Sequence, residues 1–360
     1  MEIAPYLKLM VQKDASDLFI STGARVHLKI EGRMVPVGDT PLKSAQSKGL
    51  IYSLMDEAEA AELESEWELN KGLSIPGVGR FRVNAFKQRG ERAMVIRYIK
   101  LSIPSIDELN LPPILRDLVM EPRGLVLVVG STGSGKSTTL AAMLNYRNQC
   151  KTGHVLTIED PIEYLFKNNK SVINQREVGL DTKSFGNALR NAMREAPDVI
   201  MIGEIRDLET MQAAIAYAET GHLCLSTLHA NNANQALDRI KNFFLESAHR
   251  QLYMDLSLNL RAVVSQRLLR DKEGGRIPAV EVMLLSSYVS ELILEGDTRG
   301  LKEAMEQSET RGMQTFDQCL YNLYKQGRIP LDLALDNADS RNDLALRVRL
   351  GEAAGKGGGS

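Results

Sequence analysis

Residues 124–137, GLVLVVGSTGSGKS, constrain the fold more than any other stretch of the chain. The valine- and leucine-rich run 124–129 reads as a fully buried strand. Gly130, Gly133 and Gly135 then fall within a short loop, and a helical pattern starts at about Lys136. A strand that turns through a glycine-rich loop directly into a helix belongs to a parallel, helix-covered sheet. The loop fits G-x-x-x-x-G-K-[ST]: its glycines let backbone N–H groups close around phosphates, and the helix N-terminus adds a favourable field. The phosphate cradle is therefore Gly130, Ser131, Thr132, Gly133, Ser134, Gly135, Lys136, Ser137 and Thr138. Lys136 is placed to reach β- and γ-phosphates, and the Ser137 hydroxyl to ligate Mg²⁺. The cofactors expected on this basis are ATP and Mg²⁺.

Three further apolar strands follow, HVLTIED, DVIMIGE and HLCLSTL, separated by helix-patterned stretches. Each ends in a polar group that burial alone does not favour. DVIMIGE ends in Glu204, and a carboxylate at a strand end beside a P-loop can bind Mg²⁺ directly or through water, which offsets its desolvation. Asp198, at the opposite end of that strand, reads as a cap or turn residue. TIEDPIE brings Glu159, Asp160 and Glu163 to another strand edge, with Pro161 fixing the turn. Hydrolysis needs a group to orient and deprotonate a water, and Glu163 is the candidate base. Whether Glu163 and Glu204 exchange the roles of base and metal-side carboxylate stays open at this level. STLHAN ends a strand with His229, which can sense the nucleotide through a γ-phosphate oxygen or through Glu204. His222 is assigned a structural role.

The remainder of the chain organises around that core. Residues 1–98 read as an α/β domain. A short helix carries Ile3, Leu7, Met10 and Val11 on one face, and strands follow at SDLFIS, RVHLKIEG and RMVPV. One helix is expected over 44–69, capped by Ser44, then a hairpin over 79–99. Trp67 is expected in a core or packed against a domain. Pro104, Pro112, Pro113 and Pro122 mark 99–123 as a linker with one short helix. The P-loop core spans 124–290, with a hairpin near 268–284. Residues 291–346 form a helical C-terminal region, and 347–360 a flexible tail. Cys150, Cys224 and Cys319 are too dispersed for a zinc or disulfide framework and read as reduced thiols. The N-terminus carries no signal-peptide pattern, and no apolar run approaches the ~20 residues that cross a bilayer.

GSTGSGKST, TIEDPIE, DVIMIGEIRD and STLHANN, in this order, resemble the Walker A, Asp box, Walker B and His box of secretion and type IV pilus ATPases. DASDLFIS and GRFRVNAF extend the likeness over nearly the whole chain. The resemblance implies a PAS-like N-terminal domain, a RecA-like P-loop ATPase domain with a helical C-terminal extension, and a hexameric ring. It also implies that N-terminal arginines complete the nucleotide site; Arg82 and Arg97 match these, with Arg80 next. The lack of a tetracysteine cluster favours the retraction branch, the PilT/PilU family. YVSELILE at 288–295 and the opening APYLKLMVQKDASDLFI resemble PilU-type members. The implied partners are further copies of the chain, a PilT-type retraction ATPase and a PilC-type inner-membrane platform protein. The implied location is cytoplasmic, peripheral at the inner membrane through the pilus base.

A RecA-like nucleic-acid motor is the rival class, with another secretion-system ATPase as a nearer alternative. Net charge of −2 and 5% aromatic content disfavour a strand-binding motor, which needs basic or aromatic loops.

Overall fold

The computed structural model describes residues 2–30, 32–99 and 102–356, with side chains as far as Gly351. The chain divides into two compact units, one of residues 1–102 with 163–165 and one of residues 103–162 with 166–360.

In the first unit the elements run α1 (Ala4–Gln12), β1 (Asp17–Ser21), β2 (Val26–Ile30), β3 (Arg33–Val37), α2 (Ser44–Tyr52), α3 (Glu57–Glu66), β4 (Glu68–Ile75), β5 (Gly79–Gln88) and β6 (Glu91–Ile99). The six strands form one antiparallel sheet in the order β3-β2-β1-β6-β5-β4. Its core follows the alternation of the strands. Leu18, Ile20, Phe81, Val83, Met94 and Ile96 point inward against Leu7 and Met10 of α1, Leu50 and Ile51 of α2, and Leu63 of α3.

The single helix expected over 44–69 is two helices and the start of a strand. Ser44 is the first helical residue rather than the cap, which is Lys43. The second helix has its own start signal: Asp56 accepts from the Glu59 N–H, and the Glu59 carboxylate accepts from the Asp56 N–H. Trp67 ends this helix in the left-handed region, φ 68°, and is 65% exposed rather than in a core.

The second unit runs α4 (Ile114–Met120), β7 (Gly124–Val129), α5 (Lys136–Cys150), β8 (Gly153–Glu159), β9 (Ser171–Glu177), α6 (Phe185–Ala192), β10 (Val199–Ile202), α7 (Leu208–Glu219), β11 (Leu223–Leu228), α8 (Ala233–Lys241), α9 (His249–Asn259), β12 (Leu260–Arg270), β13 (Arg276–Leu284) and α10 (Ser287–Glu295), then α11 (Leu301–Glu306), α12 (Phe316–Lys325), α13 (Leu331–Asp336) and α14 (Arg341–Lys356). Its sheet has the order β13-β12-β7-β11-β10-β8-β9, parallel except for β13, which closes a hairpin on β12. Both faces are covered. Leu125, Leu127, Ile200, Ile202 and Cys224 pack into one core, and Val126, Val128, Val199, Met201 and Leu225 into another. This explains why β7 and β10 are uninterrupted apolar runs.

β9 was not foreseen, because an edge strand with one polar side carries little apolar signal. The expected flexible tail differs too: α14 continues through residues 347–356, with Leu344 and Val348 buried against Phe316, Leu320 and Ile329. Residues 357–360 lie outside the described residues. No helix among the described residues is long and apolar enough to cross a membrane.

Candidate functional site

β7, β11, β10 and β8 are neighbours in the sheet and parallel, so their carboxyl ends lie side by side. Crevices beyond the carboxyl ends of such strands are where ligands bind in α/β sheets. The P-loop leaves β7, the Glu159–Glu163 segment leaves β8, Glu204 leaves β10 and His229 leaves β11.

The P-loop conformation demands its glycines. Gly135 caps α5 at φ +92°, and a Cβ there would lie 2.8 Å from Gln266 Nε2. A Cβ on Gly130 would collide with Ser134 Oγ and with the Gln266 carbonyl oxygen. The loop therefore sits directly on β12. Gln266 reinforces this by accepting from Thr139 Oγ1 at 2.7 Å. Lys136 is buried, and its Nζ donates to the carbonyls of Gly130 and Ser131, both at 2.9 Å. Ser134 Oγ is buried and has no hydrogen-bond partner among the described residues. A buried hydroxyl without a partner costs ~1–3 kcal/mol, so this loop is built for a group that supplies acceptors. Phosphate oxygens over a helix N-terminus meet that need.

Glu204 is the centre of a hydrogen-bonded cluster. Its Oε1 lies 3.0 Å from His229 Nε2, and its Oε2 accepts from Arg206 Nε at 2.7 Å. Arg206 reaches on to Asp160 Oδ2 at 3.3 Å, which ties the ends of β10 and β8 together. The backbone around the carboxylate is fixed from both sides. Gly203 N–H donates to the Ile158 carbonyl, Ile205 N–H to the Thr227 carbonyl, and Thr227 Oγ1 to the Gly203 carbonyl. Burial, then the positive charge of Lys136, push the His229 pKa down, against the opposing pull of Glu204. The ring is therefore neutral near pH 7, and a neutral imidazole protonated at Nε2 donates to the carboxylate. At Arg206 the hydrogen bond to Glu204 outweighs burial, and the pKa is raised.

Other residues singled out in the sequence are more dispersed. Glu159 is buried and engaged within the sheet, accepting from Thr157 Oγ1 at 2.6 Å and Gln175 Nε2 at 3.1 Å. Asp160–Pro161 is a cis peptide. Glu163 is exposed, in the segment 163–165 that groups with the first unit. Asp198 accepts from the His154 N–H at 2.7 Å, joining the starts of β8 and β10. His222 Nδ1 lies 3.1 Å from Thr220 Oγ1, within the turn before β11.

In the first unit, Arg82 and Arg97 are directly opposed across β5 and β6, and Asp17 is opposed to Arg97 on the other side. Like charges facing each other across a ladder are unfavourable. Asp17, buried, accepts from Arg97 Nε at 2.8 Å and offsets one of the two charges. Arg80 lies two residues from Arg82 on the same face of β5, and its buried Nε has no partner among the described residues.

Comparison with known proteins settles the lineage. The profile of the type II/IV secretion system protein family matches residues 2–275. The type IV pilus ATPase PilU of Pseudomonas aeruginosa is 52% identical over 352 residues, 98% of this chain and 92% of that protein. The chain belongs to this family. PilT of the same organism, a type IV pilus retraction ATPase, is 40% identical over 94% of this chain and 98% of its own. The crystal structure of the pilus retraction motor PilT with bound ADP superposes with a TM-score of 0.89 at 41% identity, covering 95% of this chain and 98% of that one.

Two features of this family member escaped the sequence reading. Arg206 follows Glu204 closely but was given no role; only the fold shows that it spans to Asp160. A cavity of about 200 Å³ also adjoins the P-loop, lined by Glu108, Leu109, Leu111, Gly135, Gln266 and Leu268. Its walls come from four separate stretches of sequence, the fourth being Arg276 and Pro278 of β13, so no local pattern marks it.

Proposed function

We propose that this chain is an ATP-hydrolysing motor of type IV pilus retraction, acting as a PilU-type accessory to a PilT-type ATPase. The observation that carries the reading is the convergence of Lys136, Glu204 and His229 at adjacent ends of parallel strands, beside a P-loop with an unpaired buried hydroxyl.

The residues present fit a nucleotide. The P-loop N–H groups and Ser134 Oγ donate to phosphate oxygens, and Lys136 exchanges the Gly130 and Ser131 carbonyls for them. The cavity beside Gly135 takes the base, between the Leu109–Leu111 segment and Leu268. The donors present also suit Mg²⁺, a hard cation that takes oxygen ligands: the Ser137 hydroxyl at the start of α5 and the Glu204 carboxylate just beyond β10. Ser137 and, through water, Glu204 would hold Mg²⁺, which would supply neutralisation of phosphate charge. Glu163 takes the proton of the attacking water, unless that role falls to Glu204. His229, neutral and bonded to Glu204, reports on the γ-phosphate. Arg82 and Arg97 stabilise γ-phosphate charge from a neighbouring subunit of a hexamer, where the one positive charge that Asp17 does not offset finds its partner. The ring works in the cytoplasm against a PilC-type platform protein at the inner membrane.

Purified protein should release phosphate from Mg²⁺-ATP, and single-stranded DNA should not stimulate it. Deletion of the gene should weaken retraction under load, scored with and without the PilT-type paralogue. Unchanged retraction in both backgrounds contradicts the motor assignment.

A further inference from the structure

Glu281 stands in the middle of β13, 2% exposed, among Ala279, Val280, Val282 and Met283. Nothing in the nucleotide chemistry above uses it. A carboxylate in such a strand is costly unless its surroundings compensate. Its Oε1 accepts from Ser265 Oγ at 2.9 Å, directly opposite on β12, and from the backbone N–H of Ala233 at 2.9 Å.

The second donor gives the carboxylate a role. Ala233 is the first residue of α8, and its N–H is one of those a helix start leaves without an internal partner. A negative group there also gains from the helix field. Between β11 and α8 lie only His229, Ala230, Asn231 and Asn232. Thr227, at the β11 end, is bound to the Gly203 carbonyl. Glu281 holds the other end. The loop that presents His229 to Glu204 is thus clamped at both ends, at one by the strand carrying Glu204 and at the other by a buried carboxylate. Ser265 also pairs in register with Val129, the last residue before the P-loop, so the clamp is built on the strand beneath the phosphate cradle.

We infer that Glu281 is a positioning residue for ATP turnover: through the Ala233 N–H it fixes the start of α8 and with it the seat of His229 against Glu204. The inference rests on the proposed ATPase activity, and the experiment separates the two. In the full-length protein, Glu281→Met keeps the volume and removes the acceptor, whereas Glu281→Gln keeps an oxygen for both donors. Glu281→Met should lower kcat about tenfold with the ATP KM changed by less than about twofold, and Glu281→Gln should recover most of the loss. The deciding measurement repeats Glu281→Met in a His229→Ala background. If Glu281 acts through His229, kcat there falls no further. An equal loss in both backgrounds, or Glu281→Gln no better than Glu281→Met, overturns the inference. Should Glu281→Met not fold, Ser265→Ala removes one of the two partners without disturbing the strand. It should lower kcat in the wild-type background and leave it unchanged beside His229→Ala, and a loss in both overturns the inference. Wild-type protein without phosphate release would instead refute the ATPase reading.

Discussion

Replacing Glu281 with glutamine should change how the stability of the P-loop unit depends on pH. Burial pushes the Glu281 carboxyl from its ordinary 4.5 up to about 7, and Asp339 adds to this while the Ala233 N–H, Ser265 and Arg267 oppose it. A carboxyl whose pKa is raised in the folded state is protonated there while the unfolded chain has already lost its proton. Stability tied to the group is therefore complete below about pH 4.5 and is lost as pH rises through about 7. At 1.36 kcal/mol per pH unit, roughly 2–3 kcal/mol disappears between pH 5 and pH 8. For a unit of this size that corresponds to about 5–10 °C in Tm. Glutamine does not titrate, so Glu281→Gln should gain on the wild type by that amount across the same interval. Thermal melts of both proteins, in constant ionic strength without nucleotide, measure it. Parallel Tm curves from pH 5 to pH 8 would refute the reasoning, because they would mean that Glu281 keeps an ordinary pKa or titrates alike in both states.

Two further expectations concern the cradle and the ring. Gly130→Ala places a methyl against the Gln266 carbonyl, so ATP binding should weaken at least tenfold and the melting temperature should fall; an unaltered Kd would mean the loop does not rest on β12. Arg82→Ala and Arg97→Ala should bind ATP yet hydrolyse it ~10³-fold more slowly. Mixing either with Lys136→Ala protein should restore part of the activity by combining intact P-loops with intact neighbouring arginines; no recovery, with subunit exchange verified, would place the arginines within their own chain.

The sequence was most legible where burial is symmetrical. β7, β10 and β11 are covered on both faces; β7 and β10 read as unbroken apolar runs and β11 is apolar but for Ser226 and Thr227, so the polar residues just beyond them stood out against that background. The same contrast could have exposed Glu281, a single carboxylate inside IPAVEVML, but no motif drew attention to it. Where burial is one-sided the signal failed. β9 alternates buried and exposed residues at the sheet edge, and the helical tail shows only Leu344 and Val348 as its inward face. The break between α2 and α3 was written in Asp56 and Glu59, a capping pair hidden within a long run of helix formers. Arg206 belongs to another kind: its meaning depends on Asp160, which only the sheet order brings near. The cavity beside Gly135 was invisible for the same reason.

The central claim is that phosphate transfer to water occurs at this P-loop under control of the strand-end carboxylates. Steady-state phosphate release, measured beside equilibrium ATP binding for wild type, Glu163→Gln, Glu204→Gln and Lys136→Ala, tests it most directly. Both glutamine variants should bind ATP with near wild-type affinity while kcat falls ~10²–10⁴-fold, and Lys136→Ala should lose turnover altogether. Glu204→Gln should also shift the Mg²⁺ dependence; a shift in Glu163→Gln instead would reverse the two roles. Folded Lys136→Ala protein that still turns over ATP at a rate near wild type would contradict the account.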